Sequence, residues 1–293
     1  MSQNGKILSF DALQQVVDRR PKRRVALAAA DDPVLLAAAA RAQSEGSAEF
    51  ILVGDPVAIL HHLQAMESPV HFEIVGSDNP GPDAVNLVRE ERADLLMKGH
   101  LPTSALLKAV LDRESGLRQG ERLNHIAVVQ SPRYRKLLFI TDGGINLHFD
   151  APTVSEIVEN SVRYVSRFGV HDPRVALLTL VEEKSDKIPE TLLAAEVAAH
   201  FKDRLRIEGP IALDVALSAE AAEQKGITSK IAGKTDILVV ANTLAANSLV
   251  KGLTALGNCL VGGIVVGAQV PIILLSRSDS IETKYRSILL GLL

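Results

Sequence analysis

A serine, an arginine and an aspartate stand close together in Ser276-Arg277-Ser278-Asp279-Ser280, directly after the apolar run Ile272-Ile273-Leu274-Leu275. An arginine offers a planar two-pronged fork to oxyanions, a serine a hydroxyl, and an aspartate a carboxylate able to take a proton. Such a set suits group transfer between anions. The apolar run reads as a strand buried on both faces of a parallel sheet. The polar stretch supplies helix N-caps, and Ile281, Tyr285, Ile288 and Leu289 follow at helical spacing. Strand, loop and helix start mark the place where open α/β sheets bind ligands, and the N–H groups of a helix start favour an anion. Without a ligand, the same loop is a capped helix start carrying a surface arginine.

Two further stretches share this form. Met97-Lys98-Gly99-His100-Leu101-Pro102-Thr103-Ser104 closes the apolar run from Ala93 to Met97. There Gly99 permits close backbone approach to a ligand, Thr103 or Ser104 can cap a helix over Ala105–Asp112, and Lys98 and Lys108 bring positive charge. His100 is either a general base or an exposed loop histidine. The segment Thr141-Asp142-Gly143-Gly144-Ile145-Asn146 is a tight-turn signature. As a binding element, its glycines would bring amides near a substrate, with Asp142 and Asn146 facing it.

The elements that must position these groups alternate along the chain. Strand patterns at Val25–Ala30, Phe50–Val53, Val70–Val75 and Ala93–Met97 are separated by helical ones, a βαβαβ rhythm that predicts a doubly wound parallel sheet. Ile126–Val129 and Leu137–Ile140 fit a hairpin bent at Ser131-Pro132-Arg133. Beyond Phe149-Asp150-Ala151-Pro152 the rhythm restarts, with strands at Val175–Leu180 and Ile237–Val240 and helices at Val154–Phe168, Thr191–Phe201, Ser218–Lys225 and Asn242–Leu256. Strands at Ile264–Val266 and Ile272–Leu275 then return the chain to its start. Two α/β lobes are expected, residues 1–147 with 258–293 and residues 148–257, with a cleft between them.

The 293 residues carry a net charge of −3, 47% apolar and 23% charged side chains, which fits a globular chain with a sizeable core and no bias towards polyanions. At 3% aromatic residues, stacking platforms for nucleic acid are not expected. Cys259 is the single cysteine, so an internal disulfide or a CxxC motif is excluded, and its apolar setting suits an inert thiol. Neither a signal-peptide pattern nor a membrane-length apolar run occurs, so a soluble cytoplasmic protein is expected. GxGxxG and GxSxG are absent, and Gly233-Lys234-Thr235 lacks the earlier glycine of a P-loop because position 228 is Thr228. His, Cys and carboxylates do not cluster at zinc-ligand spacing, so no metal is expected.

Several segments together resemble the phosphate acetyl/butyryltransferase family, and more closely its butyryl-type branch. They are Met97-Lys98-Gly99 with Thr103 and Leu106-Leu107-Lys108, Gly116-Leu117-Arg118 with Leu123-Asn124-His125, Thr141 to Asn146, Gly209 to Asp214, Ala232 to Leu238, and Val270 to Ser280. The resemblance implies an isocitrate/isopropylmalate dehydrogenase-like fold: two lobes, three α/β/α layers, mostly parallel sheets and an active-site cleft between the lobes. It implies transfer of a short acyl group, acetyl to butyryl, from coenzyme A to inorganic phosphate by direct attack in a ternary complex. Acyl-CoA and phosphate are then the partners, coenzyme A is a substrate, and no tightly bound cofactor and no membrane association are expected; a homodimer is. Ser276 and Arg277 match the serine and arginine that contact the reacting oxygens, and Lys108 matches an anion-binding position. Lys98, Gly99, Thr103, Asp142 and Asn146 complete the expected substrate contacts. Acetyl-type relatives carry a carboxylate seven residues after the serine; here Thr283 stands there, which leaves Asp279 as first candidate for the base and Asp142 as second. The family's PxxEAGN stretch is replaced by Ala241-Asn242-Thr243-Leu244-Ala245-Ala246-Asn247. That departure keeps open a non-catalytic relative that binds coenzyme A or acyl phosphate as a sensor.

Overall fold

A computed structural model describes residues 5–68, 70–120, 122–274 and 276–293. Its first part runs α1 (Phe10–Val17), β1 (Arg23–Ala28), α2 (Pro33–Ser44), β2 (Ala48–Gly54), α3 (Pro56–Ala65), β3 (Glu73–Gly76), α4 (Pro80–Arg89), β4 (Leu95–Lys98) and α5 (Thr103–Val110). Next come β5 (Asn124–Gln130), β6 (Leu138–Thr141), α6 (Ala151–Ser166), β7 (Arg174–Leu178), α7 (Pro189–Phe201), β8 (Arg206–Ile211), α8 (Leu213–Leu217), α9 (Ala219–Gln224), β9 (Ile237–Val240) and α10 (Thr243–Ala255). The chain closes with β10 (Leu260–Val266), β11 (Ile272–Ile273) and α11 (Ile281–Leu292).

Contacts divide these elements into two units, each a mostly parallel sheet with helices. Phe10–Glu121 with Gly262–Leu293 form one, and Arg122–Val261 with the residues up to Ser9 form the other. In the first unit the strand order is β3-β2-β1-β4-β11-β10; all neighbours are parallel except β10 and β11. The run beginning at Ile272 is therefore an interior strand, and Ile272 and Ile273 are fully buried, as their unbroken apolar character requires. Helix starts follow Asp-Pro logic: Asp32 and Asp55 each accept a first-turn N–H while Pro33 and Pro56 open α2 and α3. The C-terminal helix α11 packs on α2, and the Tyr285 hydroxyl donates to Glu45 and Gln14.

The second unit has the order β5-β6-β9-β7-β8, antiparallel only at the β5–β6 hairpin. Contacts place this hairpin with residues 148–257, whereas the sequence pattern had grouped residues up to 147 with the first lobe. The reason is pairing: β6 lies parallel to β9, with Phe139 opposite Ile237 and Thr141 opposite Val239. The start of the chain differs likewise, because the Ile7 N–H donates to the Phe168 carbonyl. Strand β8 carries Gly209-Pro210 inside it and has no strand signature. It survives as an edge strand, where a proline removes no needed donor, and a Cβ at Gly209 would meet the Leu177 Cβ at 2.6 Å. No described helix is long and apolar enough to cross a membrane.

Candidate active site

In the first unit, the C-terminal ends of β1, β4 and β11 bring their loops together. A small crevice there is lined by Asp32, Leu35, Lys98, Gly99, His100, Ser276, Arg277 and Lys284. Three cations thus meet a single carboxylate, Asp32, whose side chain already accepts the Leu35 N–H at 2.8 Å to cap α2.

Lys98 is only 6% exposed, and its ammonium donates to the Gly99 carbonyl at 3.1 Å. Burial pushes its pKa down, the positive charges of Arg277 and Lys284 push it further, and Asp32 opposes them. Lys284, 2% exposed, donates to the carbonyls of Ser276 (3.3 Å) and Asp279 (2.6 Å). Neither lysine has a carboxylate within ion-pair distance among the described residues. Buried cations normally come paired, and here three cations have one already engaged carboxylate beside them, a charge imbalance that an anion would relieve.

The loop that carries Ser276 and Arg277 is fastened at both ends. The Ser276 N–H donates to the Asp279 carboxylate at 2.8 Å, and the Asp279 N–H returns to the Ser276 carbonyl at 3.2 Å. The Ser276 and Ser278 hydroxyls lie 3.0 Å apart. Ser280 caps α11 through the Thr283 N–H, and Lys284 then grips the loop carbonyls from the first turn of the helix. Asp279 is thus a clasp of the loop and is not among the residues lining the crevice.

Gly99 differs in detail from expectation. Its Cβ would fall 2.0 Å from the Ala29 carbonyl oxygen and 2.3 Å from that of Ala28, so the close approach is to the end of β1. The N–H groups of Gly99 and His100 donate to those two carbonyls, each at 2.7 Å. Thr103 is the first residue of α5 rather than its cap; Pro102 occupies the cap position with no side-chain bond. Lys108 is exposed in the last turn of α5, where a cation suits the helix dipole, and lies outside the crevice lining.

Asp142 and Asn146 belong to the second unit and are buried there. Asp142 accepts the N–H groups of His125, Gly144 and Ile145 on one oxygen, and on the other the backbone and side-chain N–H of Asn146. Of the two glycine amides expected to meet a substrate, that of Gly144 is turned onto Asp142 itself, which closes the turn. Asn146 also donates to the Leu123 carbonyl, and Asn247 holds the Gly143 carbonyl.

Lys284 is the group that sequence reasoning left without a role. Its signal is a lysine beside Tyr285 and in line with Ile288 on the buried side of α11, where an unpaired charge is unusual. Among the described residues, no group of three or more His, Cys, Asp or Glu side chains could hold a metal ion.

Comparison with known proteins shows the family. Residues 76–291 match the sequence profile of the family described as "Phosphate acetyl/butaryl transferase". The phosphate butyryltransferase of Clostridium acetobutylicum is 39% identical over 296 residues, covering 98% of each chain. The crystal structure of a branched-chain phosphotransacylase from Enterococcus faecalis V583 superposes with a TM-score of 0.81 at 34% identity, covering 92% of this chain and 97% of that one. A 4-hydroxythreonine-4-phosphate dehydrogenase from Klebsiella pneumoniae, 13% identical, shares the fold alone with a TM-score of 0.59 over 92% of this chain and 98% of its own. With similarity running through nearly its whole length, the chain belongs to the phosphate acetyl/butyryltransferase family.

Proposed function

We propose that the protein transfers a short acyl group between coenzyme A and inorganic phosphate, with the crevice at Lys98, Ser276 and Arg277 as the phosphate and acyl site. The observation that carries this is the cluster of Lys98, Arg277 and Lys284 with one engaged carboxylate between them. Phosphate attack on a thioester builds negative charge on the carbonyl oxygen, and preorganised donors stabilise that charge. Arg277 can take two oxygens at once, Ser276 can donate to the acyl oxygen, and the two lysines hold the phosphate in place for direct attack. The loop clasp at Asp279 fixes Ser276 and Arg277 before substrate arrives. The turn centred on Asp142 serves the second unit as scaffold. Similarity to phosphate butyryltransferases over the full chain favours acyl groups up to four carbons, with coenzyme A as substrate and no tightly bound cofactor. The protein is further proposed to act in the cytoplasm as a homodimer, which sedimentation at micromolar concentration would check.

Mixing the protein with acetyl- or butyryl-CoA and phosphate should release coenzyme A thiol. Arg277→Ala should lower kcat/KM about 10²- to 10³-fold, the range for loss of one transition-state donor. Coenzyme A binding without turnover of any short acyl-CoA, or full activity in Arg277→Ala, would sink the proposal.

A further inference from the structure

The crevice contains one imidazole, a side chain that can both take and return a proton, and it is neither aspartate singled out by the sequence pattern. Both oxygens of Asp142 are engaged inside the second unit, and Asp279 clasps the Ser276 amide. Asp32 is committed to capping α2. His100 remains. It lines the crevice beside Ser276 and Arg277, and its Nδ1 lies 3.5 Å from Oδ2 of Asp31. That distance is long for a hydrogen bond, as catalytic pairs often are before substrate binds. The pair is set by the main chain: the His100 N–H is held by the Ala29 carbonyl at 2.7 Å, and Ala29 itself adopts φ +56°, a conformation L residues rarely accept. The other oxygen of Asp31, Oδ1, is buried and has no hydrogen-bond partner among the described residues. A carboxylate so placed is under-used by the fold and suits an imidazolium beside it.

We propose that His100, oriented by Asp31, is the general base for the coenzyme A thiol, an inference that rests on the acyltransferase reading. In the direction of thioester synthesis, His100 Nε2 takes the thiol proton as the sulfur–carbon bond forms at the acyl carbon. The bond from that carbon to the phosphate oxygen breaks, and phosphate leaves with the electron pair into the Lys98, Arg277 and Lys284 cluster. In reverse, phosphate oxygen attacks the thioester, and the imidazolium returns its proton to the departing sulfur. Asp31 is a positioning residue that favours the tautomer with the proton on Nδ1 and stabilises the imidazolium. The charged groups facing His100 are Asp31 and Asp32 from the β1–α2 turn, Lys98 from β4, Arg277 from the β11–α11 loop and Lys284 from α11. The three cations oppose the imidazolium, which gives the Asp31 carboxylate its purpose.

The test compares His100→Ala, Asp31→Asn and Asp31→Glu with the unsubstituted protein, using butyryl phosphate and coenzyme A and following thioester formation. His100→Ala should lower kcat about 10²- to 10⁴-fold, leave KM for butyryl phosphate within about threefold, and recover when imidazole is added. Asp31→Asn should cost roughly tenfold in kcat, with partial recovery in Asp31→Glu. Loss of turnover in His100→Ala that imidazole does not restore overturns the assignment, as does a kcat within about threefold of the unsubstituted protein. In both cases the unsubstituted protein is active and Arg277→Ala is not, so the acyltransferase reading stands while the base is lost. Inactivity of the unsubstituted protein removes that reading and this inference together.

Discussion

Lys98 and Lys136 make an instructive pair. Each is removed from water far enough that burial is the largest cause pushing its pKa below the usual lysine range. Around Lys136, in the second unit, the structure answers with charge: Asp236 pairs with its ammonium, also accepts the Arg174 N–H at 2.8 Å, and lies near the Arg174 guanidinium. Around Lys98, in the first unit, Arg277 and Lys284 worsen its position, and Asp32, already engaged in capping α2, opposes them without pairing with the ammonium. One lysine is part of a finished ion pair that ties β6 to the start of β7 and β9. The other is part of an unfinished one, and in the function proposed above its missing partner is the substrate. Burial alone does not separate a structural cation from a functional one; the sign of the nearest charges does.

Breaking the finished pair should give the largest change in stability. Asp236→Asn strands Lys136 and is expected to cost about 3–5 kcal/mol, read from denaturant midpoints, while the protein that remains folded keeps its turnover. A smaller cost would mean that Lys136 reaches water and that the contrast is overdrawn.

The unfinished pair should respond in the opposite sense. Lys98→Met removes a buried cation with no carboxylate partner, so the unliganded protein should gain about 1–4 kcal/mol, while phosphate affinity collapses. Phosphate at a hundred times its Kd should stabilise the natural sequence by about 2.7 kcal/mol and the variant hardly at all. Both measurements are thermal melts with and without phosphate. A variant that melts earlier than the natural sequence without phosphate would show that Lys98 is held by bonds that matter more than its desolvation.

The pH dependence sharpens the same point with a smaller effect. The folded-state pKa of Lys98 lies below its unfolded value of 10.5. Its penalty is therefore in force at neutral pH, and the stability it withholds returns as pH rises through the folded value towards 10.5. The gap between Lys98→Met and the natural sequence should be widest near pH 7 and close towards pH 10.5. A gap independent of pH would sink this account.

Much of this was written in the local pattern. The strand-loop-helix at Ile272–Ile281, the β5–β6 hairpin, and β9 at Ile237–Val240 follow directly from apolar runs, turn residues and caps. The cluster of Lys98, Gly99, Ser276 and Arg277 was also legible, because each stands at the end of a buried strand and parallel sheets gather those ends. What stayed hidden depends on pairing across long sequence distances. Nothing local tells that β6 will lie beside β9 almost a hundred residues later, or that Asp142 will also take the His125 N–H from the neighbouring strand. The place of Lys284 in the crevice, and that of Asp31 beside His100, likewise appear only once β1, β4 and β11 are neighbours. Leu275, expected to end the last strand, lies outside the described residues.

At position 99 the backbone leaves no room for even a methyl group, with carbonyl oxygens 2.0 and 2.3 Å from where it would sit. That wall of the crevice is closed to mutational drift, and the residues on either side, Lys98 and His100, inherit its immobility. Adaptation to longer or branched acyl chains must then come from elsewhere, and Leu35 is the apolar side chain of the lining. A library randomised at both positions and selected for turnover should keep glycine at 99 while letting 35 wander.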